Sequence, residues 1–265
     1  MLPVILKIGP LAIHTYGFML ALGVAFALWF LFVQAKKFTL DASRIIDMAF
    51  FTIIISLVGA KAVLFLGSFS YYRENPGELL SLARSGGVFQ GGLACGVIFA
   101  LWYMHKHKIP TWKVADIAGP AIALGHGFGR IGCFSAGCCF GRECTVPWGV
   151  TFHSEYAHNL TGIPVGILLH PVQIYESILN FLNFFILFII LRKKKFDGQV
   201  FSLYIINYSI IRFFTEFYRG DHAYNTYLIH GTSPYLRMSF PQVFCIVGII
   251  CGFALYFIFK KRNRV

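Results

Sequence analysis

Tyr208, Arg212, Glu216 and Arg219 stand 4, 4 and 3 residues apart. On a helix those intervals bring all four to one face. An Arg–Glu pair one turn apart lowers the cost of carrying both ions in an apolar setting, and this stripe still leaves one positive charge over. Arg130 adds another. The planar guanidinium fork clamps a phosphate through two parallel hydrogen bonds, so arginines left unneutralised among apolar residues point to an anionic phosphate ester as ligand. The structural alternative is a self-neutralising pin between helices. His126 precedes Arg130 by one turn and is a candidate general base. Asp116 lies too far toward the other end of the same segment to neutralise Arg130.

Glycines and cysteines surround these groups. Gly86-Gly87 and Gly91-Gly92 flank Gln90, and Gly125-His126-Gly127-Phe128-Gly129-Arg130-Ile131-Gly132 repeats glycine at short intervals. Such glycines serve close helix packing or the close approach of a lipid or peptide. No G-x-x-x-x-G-K-[ST] phosphate loop is present. Cys133, Cys138, Cys139 and Cys144 are spaced C-x4-C-C-x4-C, unlike the C-x2-C pairs of a zinc knuckle, so no metal site is expected. Disulfides in an oxidising compartment and a redox role remain open for them. Cys95, Cys245 and Cys251 stand alone in apolar stretches and read as packing residues.

The elements that must position these groups follow from composition. Of 265 residues, 57 % are hydrophobic and 13 % charged, and the mean hydropathy is +0.67. A soluble domain carries about 25 % charged residues. A disordered chain, a basic nucleic-acid-binding domain and an ordinary soluble enzyme are therefore excluded, despite a net charge of +12. Seven stretches are long and apolar enough to be transmembrane helices: roughly 11–33, 45–69, 88–104, 114–134, 171–191, 200–218 and 240–259.

Basic residues cluster in alternate connections: Lys36, Lys37 and Arg44; Lys106, Lys108 and Lys113; Arg192 to Lys195; and Lys260 to Arg264. Placing those in the cytoplasm sets the N-terminus outside and the C-terminus inside. The expectation is an all-α, polytopic integral membrane protein with seven spans. It forms a single domain over residues 1–265, with short outer loops at about 70–87, 135–170 and 219–239. In this topology Tyr16, Gln90, His126, Arg130, Glu176 and Arg212 fall in outer halves of helices, which predicts one polar cavity open to the outer side.

At this point motifs accumulate. Gly9-Pro10-Leu11-Ala12-Ile13-His14-Thr15-Tyr16-Gly17, Gly129-Arg130-Ile131-Gly132, Gly141-Arg142, Pro147-Trp148-Gly149, His170-Pro171-Val172-Gln173-Ile174-Tyr175-Glu176 and the Tyr208 to Arg219 stripe occur in that order. Along nearly its whole length the chain resembles the bacterial prolipoprotein diacylglyceryl transferases. The resemblance implies transfer of the diacylglyceryl group of phosphatidylglycerol to the lipobox cysteine thiol of a prolipoprotein signal peptide. A thioether forms and glycerol phosphate leaves. It implies a multi-pass protein of the bacterial inner membrane, with membrane lipid and prolipoprotein as partners, no nucleic acid and no cofactor.

By the same resemblance Arg130 and Arg212 are phosphate-side catalytic residues. Glu216, Tyr16, Tyr208, Arg219 and Gly141 map onto family motifs, and Gly91 and Gly92 join them as substrate-binding positions. The sequence departs from the family where a histidine usually enters the third helix, here Gln90. It departs again after Gly132, where an Asn-Phe-x-Asn-x-Glu run is replaced by Cys133 to Cys138. Gln90 cannot act as a base, which leaves His126, or the arginine field alone, to activate the thiol. These departures keep open a related phospholipid-dependent transferase with another acceptor. A lipid or solute transporter and a thiol-redox protein using Cys138 and Cys139 are the remaining alternatives.

Overall fold

The computed structural model describes residues 4–8, 11–78, 87–221, 227–229 and 238–263. Among these, seven helices of 18 residues or more account for most of the chain. They are α1 (Thr15–Lys37), α2 (Ala42–Gly67), α4 (Phe89–Lys106), α5 (Thr111–Ala136), α7 (Val172–Arg192), α8 (Gln199–Glu216) and α9 (Phe240–Arg262). Short helices α3 (Phe69–Glu74) and α6 (Glu155–Thr161) lie between them. Three two-stranded antiparallel sheets complete the architecture: β1 (Val4–Ile8) with β2 (Leu11–His14), β3 (Val150–Thr151) with β4 (Leu168–Leu169), and β5 (Tyr227–Ile229) with β6 (Met238–Ser239). The all-α expectation holds, and α1, α2, α7 and α9 are long and apolar enough to cross a membrane. The first apolar stretch is shorter than its hydropathy suggests. Leu11 to His14 belong to β2, and the helix opens at Thr15.

The chain divides into two compact units, Leu31–Val114 and the remainder, with the boundaries inside α1 and α5. In the smaller unit α4 packs on α2 through small residues. A Cβ at Gly91 would meet Val63 Cγ2 at 2.5 Å, and one at Gly92 would meet the Ser56 carbonyl at 2.8 Å. Gly87 precedes the helix at φ +75°, and Val88 N–H donates to the Ala60 carbonyl at 2.9 Å. Lipid gives helices no hydrophobic reason to associate, so close backbone approach supplies the attraction. Gly91 and Gly92 are buried in this contact, which gives them a packing role. Gln90, one residue earlier, is exposed.

In the larger unit α9 meets α8 through Gly248 and Gly252, four residues apart. An added Cβ at either would collide with Ser209 or Ile206. The N-terminus of α8 lacks a capping side chain, because its cap residue is Gly198 at φ +89°. Asp116 of α5 supplies one. Fully buried, it accepts Gly198 N–H at 2.9 Å, Val200 N–H at 2.9 Å and Phe201 N–H at 3.0 Å, and pairs with Lys194 Nζ at 2.8 Å. A buried carboxylate with four donors at a helix N-terminus is stable where a bare one would not be. This arrangement agrees with Asp116 being remote from Arg130.

The stretch between α5 and α7 is more than a plain loop. Phe140, Phe152, Ala157, Ile163 and Leu169 form their own buried cluster, with Phe134 and Val150 against it. Residues 79–86, 222–226 and 230–237 of the other two expected loops lie outside the described residues.

Candidate active site

The site is organised by a residue that the charge reading passed over. Glu176, in the first turns of α7, is 1 % exposed. Its Oε2 lies 2.6 Å from Arg130 Nε, and its Oε1 accepts from Arg212 Nη1 at 3.0 Å and from Thr215 Oγ1 at 3.2 Å. Arg212 Nη2 pairs with Glu216 Oε2 at 2.7 Å. The expectation that the two arginines stand unneutralised is therefore corrected: Glu176 and Glu216 balance them. One carboxylate from α7 holds one guanidinium from α5 and one from α8.

Arg130 is held from one side only. Its Nε donates to His126 Nε2 at 3.1 Å, while neither Nη1 nor Nη2 hydrogen-bonds a described residue. The side chain is 12 % exposed. His126 thus uses one ring nitrogen as the acceptor that orients Arg130, and its ring lies 5.3 Å from that of Tyr208. The lone pair on Nε2 is engaged, and the other nitrogen, Nδ1, carries the proton. Tyr16 of α1 packs beside α5, with its Cδ2 and carbonyl 3.3 Å from where a Cβ on Gly132 would stand.

Beyond Glu176, α7 continues a buried polar face. Ser177 Oγ donates to the Gly127 carbonyl at 2.9 Å, Asn180 Nδ2 to the Glu176 carbonyl at 2.8 Å, and Asn207 Nδ2 of α8 to Asn183 Oδ1 at 2.9 Å. The intervals between Gln173, Glu176, Asn180 and Asn183 are the helical signal that could have located this face from sequence.

α8 ends at Glu216, and Arg219 follows in a tighter turn, its N–H donating to the Glu216 carbonyl at 3.1 Å. The chain turns there, and Arg219 forms an antiparallel bridge with Gly141. Arg142 N–H donates to the Tyr218 carbonyl at 2.9 Å, and Gly220 N–H to the Phe140 carbonyl at 3.0 Å. The Arg219 guanidinium is spent on a bidentate pair with Asp221, through Nε at 2.8 Å and Nη2 at 2.5 Å. Gly141 is a point of close approach: a Cβ there would strike the His170 carbonyl and stand 2.7 Å from Val172 Cγ2. Burial first, and Arg142 second, push the His170 imidazole below its ordinary range. Its Nδ1 lies 3.3 Å from Tyr175 Oη, which accepts from Trp148 Nε1 at 2.7 Å.

The end of α5 carries the thiols. Cys133 sits in its last turn, and Cys138 and Cys139 follow in the turn that ends it. Their three sulfur atoms all lie within 4.8 Å of one another, and all seven cysteines are free thiols. Cys144 stays outside the group. Hydrogen bonds from Cys133 and Cys138 hold the Cys139 thiol below the usual range against the effect of burial, with Arg219 and Arg130 adding to them.

The model of the prolipoprotein diacylglyceryl transferase family matches residues 3–258. The chain belongs to the prolipoprotein diacylglyceryl transferase family. It is 38 % identical over 265 residues, the whole of both chains, to the phosphatidylglycerol–prolipoprotein diacylglyceryl transferase of Clostridium tetani. To transferase 2 of Clostridium perfringens it is 32 % identical over 255 residues, 96 % of this chain and 94 % of that one. The Bacillus velezensis transferase is 31 % identical over 262 residues, 98 % and 93 % of the two chains. Within this diacylglyceryl transferase the larger unit brings Arg130, Arg212, Glu216, His126 and Tyr208 together around Glu176. Gln90, Gly91 and Gly92 belong to the smaller unit.

Proposed function

We propose that this protein transfers the diacylglyceryl group of phosphatidylglycerol to the thiol of a prolipoprotein lipobox cysteine, forming a thioether and releasing glycerol phosphate. The observation that carries the reading is Arg130, locked at Nε by Glu176 and His126 while its two terminal amino groups have no partner among the described residues. A fork fixed in this way meets a phosphate diester without reorganising, and it stabilises the charge that grows on the leaving phosphate as the C–O bond breaks. Arg212, shared between two carboxylates, holds Glu176 in place and takes part in the field. The acceptor thiolate attacks the glycerol carbon, and Tyr16 and Tyr208 bound the space beside it.

The same reading makes all seven long helices spans of the bacterial inner membrane, with the N-terminus outside. An exported signal peptide and an outer-leaflet lipid then reach one site. Gln90 and Cys133 favour, as second reading, a phospholipid-dependent transferase with a different acceptor. Purified protein incubated with phosphatidylglycerol and a lipobox peptide is expected to add one diacylglyceryl mass to the cysteine. Addition to another acceptor alone would support the second reading, and no addition to any acceptor would overturn both.

A further inference from the structure

We propose that Cys133, Cys138 and Cys139 hold one zinc ion whose fourth position takes the acceptor thiol. This inference rests on the transferase reading. Three thiolates on zinc at about 2.3 Å place their sulfurs roughly 3.8 Å apart. The three Sγ atoms already lie within 4.8 Å of one another and are half-buried, so rotamer adjustment closes the set around an ion that can still be reached.

The turn that groups them is held in shape from outside. Gln173 Nε2, on a side chain 1 % exposed, donates to the Cys138 carbonyl at 2.9 Å, and Thr161 Oγ1 donates to the Gly137 carbonyl at 3.0 Å. Cys138 N–H returns to the Cys133 carbonyl at 3.2 Å. Cys139 adopts φ +59°, a conformation that an L-residue keeps only where the surroundings impose it. Supporting hydrogen bonds around ligands are what a metal site uses to fix its geometry.

The count and position of the thiols then specify the role. No fourth histidine, cysteine or carboxylate joins the group among the described residues. Structural zinc sites close with four protein ligands, whereas sites that do chemistry keep one open. Cys133 follows Arg130 by three residues on α5, so both lie on one side of the helix. Transfer to sulfur needs a thiolate beside the phosphate clamp. Gln90 is no base, and His126 Nε2 is engaged by Arg130.

A coordinated thiol is deprotonated outright. In the step, the acceptor thiol binds zinc and its proton passes to water. The sulfur lone pair forms the S–C bond to the glycerol carbon of the donor, and the C–O bond breaks with its electron pair going to the phosphate oxygen. The thioether, a poorer ligand, then leaves the ion. No oxidation or reduction occurs.

The test uses the full-length protein purified in detergent without chelators. Elemental analysis is expected to find one zinc per chain, with all seven thiols titratable after denaturation in chelator. Cys139→Ser should lose the metal. Exchange to cobalt should give a sulfur-to-metal charge-transfer band that changes when a lipobox peptide is added, but not with a peptide in which serine replaces the cysteine. A free thiol of pKa about 8.5 is roughly 3 % ionised at pH 7, so stripping zinc should slow transfer about 30-fold there, and less as the pH rises through 8.5. Absence of zinc with two thiols missing would show a disulfide and overturn the proposal. So would unchanged transfer by zinc-free protein, which leaves the transferase reading standing. Zinc bound with the cobalt response intact, but no diacylglyceryl transfer, would instead refute the transferase reading.

Discussion

Glu176 on α7 is ion-paired to Arg130 on α5 at 2.6 Å and to Arg212 on α8 at 3.0 Å. Three helices thus share one carboxylate, which pairs with two guanidinium groups. Removing one partner of such a buried set costs about 3–5 kcal/mol, because the remaining charge is left uncompensated. Glu176→Gln is therefore expected to lower thermal stability by that order and to abolish transfer. Glu176→Gln combined with Arg212→Gln should recover part of the stability and none of the activity. Thermal unfolding in detergent, paired with the peptide assay, measures both. A single variant as stable as the wild type would show that the pairing is not structural.

Arg130→Lys should retain the charge and the fold yet lose most activity, since a point charge on a flexible stem cannot reproduce a fork held at Nε. Arg130→Ala should be inactive. The check is turnover at saturating phosphatidylglycerol, with yield of folded protein as control. A lysine variant near wild-type turnover would mean that field alone is sufficient.

His126→Asn separates two roles for one histidine. As acceptor for Arg130 Nε, it can be replaced by an amide oxygen, and turnover should stay within about tenfold at every pH. A general base would instead contribute ~10²–10⁴, with the loss repaired as the pH rises and the acceptor thiol ionises unaided. The pH profile of the variant distinguishes them, and the engaged Nε2 favours the first outcome.

Gly141→Ala tests the close approach of three chain segments. The added methyl meets the His170 carbonyl, which is backbone and cannot rotate away. A cost of about 1–3 kcal/mol is expected, typical of overpacking. The bridge to Arg219 should loosen with it, read as faster hydrogen exchange at Arg142 and Gly220, whose N–H groups donate across this junction. Exchange unchanged from the wild type would place the strain elsewhere.

Much of this molecule is legible along the chain. Apolar length and helical period locate the long helices, because a bilayer leaves only one way to satisfy the backbone of such a segment. The same period places Tyr208, Arg212 and Glu216 on one face of α8. Beyond Glu216 the helix tightens into a turn through Arg219, and there the chain also bonds to residues 140–142. That bonding depends on a segment more than seventy residues away in the chain.

The charge balance was hidden for a related reason. Arg130, Glu176 and Arg212 sit on three separate helices, and which cation a buried carboxylate meets is set by how those helices pack. Spacing along the chain also does not show that three of the thiols come together, since it measures sequence distance and not the turn. Gly137 at φ +78° and Cys139 at φ +59° fold that turn back on Cys133. Periodicity and hydropathy are local properties and can be read from residue order. Ion pairing arises between segments and thiol grouping from backbone turns that spacing does not encode, and only the folded structure brought those partners within reach.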